Sequence, residues 1–173
     1  MTLRDLLTGG DRRSIARASE ALDIARQDQA AVDELARLTA GPDPLVAERA
    51  LDVLEKLVHE RPEWLQPHRQ VFVDLLAHPH WECRLQCVRA IPALTWTQQE
   101  RSAVVERLRE AIDDSQKFVS CWALDGYARL ADNDPIKRKE IDRRLTEFLG
   151  SGVPSMRARA RAIAKRLAPY TQE

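Results

Sequence analysis

A chain of 173 residues with 44% apolar and 31% charged side chains has material for a core and is too apolar to be a disordered polyampholyte. Its 27 basic and 27 acidic residues balance, which removes any bulk-charge case for a nucleic-acid chaperone or a membrane-surface protein. No run approaches the roughly 18 apolar residues of a membrane span, and the start, Met1 to Leu7, carries charge where a secretory leader is apolar. A cytoplasmic protein without a disulfide framework is expected from these features and from only three cysteines.

Apolar residues recur at helical spacing almost throughout, and β-branched residues never alternate over a usable length, so the chain reads as all-α. Gly9-Gly10-Asp11, Gly41-Pro42-Asp43-Pro44, His78-Pro79, Asp113-Asp114, Asp132 to Pro135 and Gly150 to Gly152 cut it into helices. Asp43-Pro44 and Asp134-Pro135 have the chemistry of a cap followed by a first-turn proline. Two alternating types of helix emerge. Type A is predicted at about 12–26, 44–59, 80–94, 116–131 and 154–168, and type B at about 29–40, 63–77, 98–113 and 135–149. The first A helix fits its columns least well, matching at Ile15, Ser19 and Leu22 only with a shortened repeat.

The helices repeat. Leu57, Leu94, Leu130 and Leu167 stand at intervals of 36 or 37 residues. The columns Val46/Cys83/Val119/Met156, Ala50/Cys87/Ala123/Ala160, Val53/Ala90/Gly126/Ile163 and Leu54/Ile91/Tyr127/Ala164 form one apolar stripe of helix A. On helix B, Leu35/Phe72/Leu108/Leu145 and Leu38/Leu75/Ala111/Phe148 do the same. A helix pair of this kind cannot bury its stripe alone, so copies must stack. Replacing Ala123 with Leu is expected to overfill a tight contact, whereas Arg159, on a final helix with an open face, is expected to be dispensable for stability.

The turn Asp or Pro before helix A, the small mid-helix residue and Pro92 inside one A helix make the chain resemble the HEAT-repeat family over roughly residues 11–168. That resemblance implies a right-handed α-solenoid of antiparallel helix pairs, about four and a half repeats, in a single domain. Residues 1–10 would be an N-terminal cap segment and 169–173 a tail. In this family B helices line a concave surface that holds a partner, here through the outward positions Arg37, Asp74, Glu110 and Glu147 and, one turn earlier, Asp33, Gln70, Glu106 and Arg143. A non-catalytic protein-binding scaffold is the function so implied.

Other features compete for attention. Residues 137–166 hold ten Lys and Arg against three acids, while 1–136 carry a net −6. Lys137, Arg138, Lys139, Arg143, Arg144, Arg157, Arg159 and Arg161 could bind phosphates of a nucleic acid or form a solubilising cap. Trp122 stands where the other copies have Arg49, Gln86 and Arg159, so it is either an exposed anchor or a packed ring. His80, Cys83 and Cys87 share a helical face, but the cysteines occupy core columns, so a zinc site is not expected. His68 falls in a B-helix core column and is expected to be a satisfied histidine rather than a base. No phosphate loop, nucleophile elbow or metalloprotease motif occurs, so no catalytic residue, metal or cofactor is assigned. A HEAT-like lyase or glycosylase activity stays an alternative.

Overall fold

In a computed structural model the chain is described over residues 1–11 and 14–167; the expected tail, 169–173, lies outside these. Among the described residues every regular element is helical. The chain divides into two compact units, residues 1–95 and 96 onward.

The first unit contains α1 (Leu3–Leu7), α2 (Ala18–Ala25), α3 (Gln29–Leu38), α4 (Pro44–Val58), α5 (Pro62–Leu65), α6 (Arg69–Asp74) and α7 (Trp81–Ala90). The Asp43 carboxylate accepts from the N–H groups of Leu45 (3.0 Å) and Val46 (3.3 Å), and Pro44 opens α4. Two of the amides that a helix start leaves orphaned are thereby satisfied. Leu35, Leu51, Leu54, Leu57, Leu65, Phe72 and Ile91 are fully buried together. They come from both A-type and B-type helices, as the stacking argument requires.

Two proline effects interrupt this unit. The B helix expected over 63–77 is broken into α5, a 3₁₀ turn at Gln66–His68, α6 and a second 3₁₀ turn at Leu75–Ala77. Pro67 supplies no amide for helix continuation. Gln66 holds the break by a two-way bond to the Thr95 backbone, its amide nitrogen donating (2.5 Å) and its carbonyl accepting (3.0 Å). Pro92 likewise converts the end of α7 into a 3₁₀ turn at Ile91–Ala93.

The N-terminus differs from expectation in two ways. Part of the cap segment is itself helical, with Thr2 and Asp5 forming a capping box and Leu3, Leu6 and Leu7 buried. The first A helix begins only at Ala18, and Ile15 is exposed rather than in a core column. Between these helices Gly9 and Gly10 take positive φ, 91° and 71°. A Cβ on Gly10 would come within 2.8 Å of the Ser14 side chain, so that turn needs glycine.

The second unit contains α8 (Gln98–Ala111), α9 (Lys117–Ala131), α10 (Pro135–Leu149) and α11 (Pro154–Arg166). Thr97 and Glu100 form a capping box on α8, behind a buried Trp96. Asp134 caps α10 through the N–H groups of Ile136 and Lys137. Central α9 packs against α8, α10 and α11 and buries Val119 through Ala128 apart from a partly open Trp122. The Tyr127 phenol donates to Glu140 at 2.9 Å.

The small-residue column Ala50/Cys87/Ala123/Ala160 is fully buried in all four copies. The B column Leu35/Phe72/Leu108/Leu145 is buried as well. The terminal-leucine column is less uniform, since Leu130 is half-exposed while Leu57, Leu94 and Leu167 are buried. Arg161 and Ala164 are exposed where earlier copies bury Leu51, Val88 and Leu124 or Leu54, Ile91 and Tyr127.

Candidate functional site

Three surfaces were marked by the sequence. The first is the outward side of the B helices. Asp33 and Arg37 on α3, Gln70 and Asp74 on α6, Glu106 and Glu110 on α8, and Arg143 and Glu147 on α10 are all exposed. Each pair is one helical turn apart, so its two members share a face. Local bonds order them: Gln70 donates to Asp74 (2.8 Å), Arg109 to Glu106 (2.8 Å), and Arg143 and Arg144 both reach Glu147. His68, half-buried, pairs with Asp33 at 2.6 Å. It is therefore a satisfied histidine at the edge of this face, not a buried one.

The second surface is the basic stretch. Most of its charge is answered within the same unit. Lys137 pairs with Asp134 (2.9 Å), Arg138 with Asp142 (3.2 Å), and Arg144 with Asp113 (2.9 Å). Arg143 bonds Glu147, Arg157 donates to the Ser151 carbonyl (2.9 Å), and Arg166 meets Asp125 at 2.6 Å. Lys139 and Arg161 are exposed. Phosphate binding through this stretch would have to displace existing carboxylates, which offsets part of the gain.

The third surface lies between α9 and α11. Trp122 is neither fully exposed nor packed away: the Arg159 guanidinium sits over its ring, 3.6 Å from the centroid. Around them Phe118, Cys121, Ser155, Ala158 and Ala162 line a cleft of about 320 Å³. Phe118 is 54% exposed. Arg159 is thus not the bystander that an open final face implies, because it also approaches Asp125 at 3.8 Å.

Three buried polar centres escaped the sequence reading. Arg49, only 6% exposed, donates to four backbone carbonyls: Leu7 (2.6 Å), Gly9 (2.7 Å), Asp11 (2.9 Å) and Ser14 (3.0 Å). Asp125, 2% exposed, gathers Arg166 (2.6 Å), Arg129 (3.4 Å) and Arg159 (3.8 Å). Glu55, 1% exposed, gathers His59 (3.0 Å) and Arg89 (3.1 Å). A signal for the last two does exist. Glu55–Arg89, Asp125–Arg159 and the Asp52–Gln86 hydrogen bond (2.9 Å) all join residues 34 apart, linking one A helix to the next.

The cysteines are in the core. Cys83, Cys87 and Cys121 are free and buried, and burial raises the thiol pKa of Cys87 and Cys121. His80 turns to Glu48 (3.5 Å), and its ring lies against His78. Among the described residues no group of three or more His, Cys, Asp or Glu is placed to hold a metal ion. No helix among them is long and apolar enough to cross a membrane.

With this geometry in hand, the chain is similar in structure to a computationally designed armadillo repeat protein made for modular peptide recognition. The TM-score is 0.63 at 15% identity, covering 96% of this chain and 81% of that one. The fold is a helical-repeat solenoid. A second similar structure is an engineered protein from a structural genomics consortium, with TM-score 0.58 and 19% identity, covering 91% of this chain and 74% of that one. No family model matches the chain, and neither does any curated protein sequence. The repeat architecture is therefore established by shape, whereas HEAT in particular rests on the residue pattern.

Proposed function

We propose that this repeat protein is a non-catalytic cytoplasmic scaffold that docks another protein on the outward faces of its B helices. The observation that carries the reading is the split between two kinds of B-helix position. Leu35, Phe72, Leu108 and Leu145 are buried and hold the framework, while the eight outward positions are exposed on every B-type helix. Within each unit, a packed helical framework that presents polar side chains from two B-type helices loses little entropy on binding, which favours recognition of a partner segment. The similar designed armadillo repeat protein was made for peptide recognition, and the same use of repeats supports a protein partner here.

These outward positions are mixed but mainly acidic, with Asp33, Asp74, Glu106, Glu110 and Glu147 against Arg37 and Arg143. They suit a partner segment carrying Lys or Arg. The test is capture of partners from an extract of the native host by the wild-type chain and by a triple variant, Asp74→Lys, Glu110→Lys and Glu147→Lys. All three positions are exposed, so the circular dichroism spectrum should be unchanged. The expected outcome is that a protein retained by the wild type is reduced at least tenfold with the variant. Equal retention by both would refute this face as the docking surface.

A further inference from the structure

The cleft between α9 and α11 lies on A-type rather than B-type helices. Its apolar part is made by Phe118, Trp122, Ala158 and Ala162, of which Phe118 and the two alanines are exposed and Trp122 is partly open. Its volume, about 320 Å³, lies at the low end of the roughly 300–1,000 Å³ typical of ligand pockets. That is room for one or two side chains and not for a folded domain.

Charge defines what else such an occupant must carry. Helix α11 has five basic residues and no acid, and α9 has Lys117 and Arg129 against Asp125 alone. Ala158, Ala162 and Lys165 fall on one stripe of α11, with Arg159 and Arg166 beside it. Asp125 is buried and already shared by Arg129, Arg159 and Arg166, so one carboxylate faces three guanidinium groups and leaves that end of the cleft cationic. Arg159 is held over the Trp122 ring, its guanidinium carbon 3.6 Å from the centroid. The contact restrains the guanidinium, and Arg159 is only loosely engaged by Asp125, at 3.8 Å, which prepares it for a second carboxylate at little entropic cost.

The geometry points to a docking site for a short acidic peptide segment of a partner protein. An aliphatic or aromatic side chain enters between Phe118 and Ala162, and a neighbouring Asp or Glu bonds Arg159 and the cations around it. This site is separate from the B-helix faces, and each can fail without the other.

The test is selection from a random-sequence peptide library displayed on phage, with the full chain immobilised, followed by fluorescence anisotropy on the enriched peptides. Two variants alter only exposed positions of the cleft: Phe118→Ser, which removes the aromatic wall, and Ala162→Glu, which places a carboxylate in it. The expected result is enrichment of peptides with Asp or Glu next to Leu, Phe or Trp, with affinity falling at least tenfold in each variant. The B-helix triple variant should bind these peptides as the wild type does. Three results would overturn the proposal: no enrichment; enriched peptides without acidic residues; or binding unaffected by Phe118→Ser and Ala162→Glu. A labelled DNA duplex that binds with the same variant sensitivity, while the peptides do not bind, would also overturn it and mark the cleft as a nucleic-acid site.

Discussion

Replacing Arg49 with Ala should lower the stability of the first unit by about 3–4 kcal/mol, among the largest effects expected from a single change in this chain. The guanidinium is 6% exposed and satisfies carbonyls of Leu7, Gly9, Asp11 and Ser14 at 2.6–3.0 Å. A hydrogen bond to a charged group contributes about 1.5–3 kcal/mol, and a buried carbonyl left without a donor costs about 1–3 kcal/mol. The exposed carbonyls can recover water, so the sum is less than four full bonds. The Leu7 carbonyl sits on a fully buried residue and recovers least. For a unit of this size, each kcal/mol is worth about 4–8 °C, so the thermal midpoint should fall by more than about 10 °C. Arg49→Lys should recover only a minority of the loss, because one ammonium cannot address four carbonyls spread along a turn. Amides of α1 and of the turn after it should lose hydrogen-exchange protection first. A midpoint within 2–3 °C of the wild type, an order-of-magnitude allowance for surface changes, would mean that the turn is held by something other than Arg49.

Replacing Asp125 with Ala should destabilise the second unit by about 2–3 kcal/mol. Breaking a buried ion pair costs about 3–5 kcal/mol when the orphaned partner stays buried. Here Arg129, Arg159 and Arg166 are each a quarter to half exposed, so they regain water and the cost sits below that range. Asp125→Asn keeps the shape but loses the charge, and it should resemble Ala more than the wild type. Asp142→Ala, which removes an exposed acid from its pair with Arg138, should stay within about 0.5 kcal/mol. Urea unfolding followed by circular dichroism separates these outcomes. Equal effects at 125 and 142 would show that the three arginines draw little from the buried carboxylate.

These two residues show where the sequence could and could not be read. The framework was legible because burial is a local, periodic demand: Ala50, Cys87, Ala123 and Ala160 must be small wherever A helices meet, so the constraint recurs in the text. The outward B positions were legible for the complementary reason, since nothing packs on them and their identities drift. Arg49 occupies an ordinary helix-A column, but its partners are backbone carbonyls in a glycine turn. No side-chain pattern records the positions of those carbonyls. Trp122 was open between packing and exposure because its covering group, Arg159, comes from the next A helix. The breaks at Gln66–His68 and Leu75–Ala77 were invisible because Leu65, Phe72 and Leu76 keep an apolar rhythm across them, even though Pro67 stands in the middle. Ile15 shows the opposite case: an apolar residue at a plausible helical spacing stands exposed, three residues before its helix starts.

The central claim is that side chains about 36–37 residues apart do equivalent work. Urea unfolding of Ala50→Leu, Cys87→Leu, Ala123→Leu and Ala160→Leu, each made singly, tests it most directly. All four positions are fully buried, and overfilling a packed contact costs about 1–3 kcal/mol, so the account predicts a loss in that range from every one of the four. If two or more of them unfold at the wild-type urea concentration, the columns are not equivalent and the repeat reading is wrong.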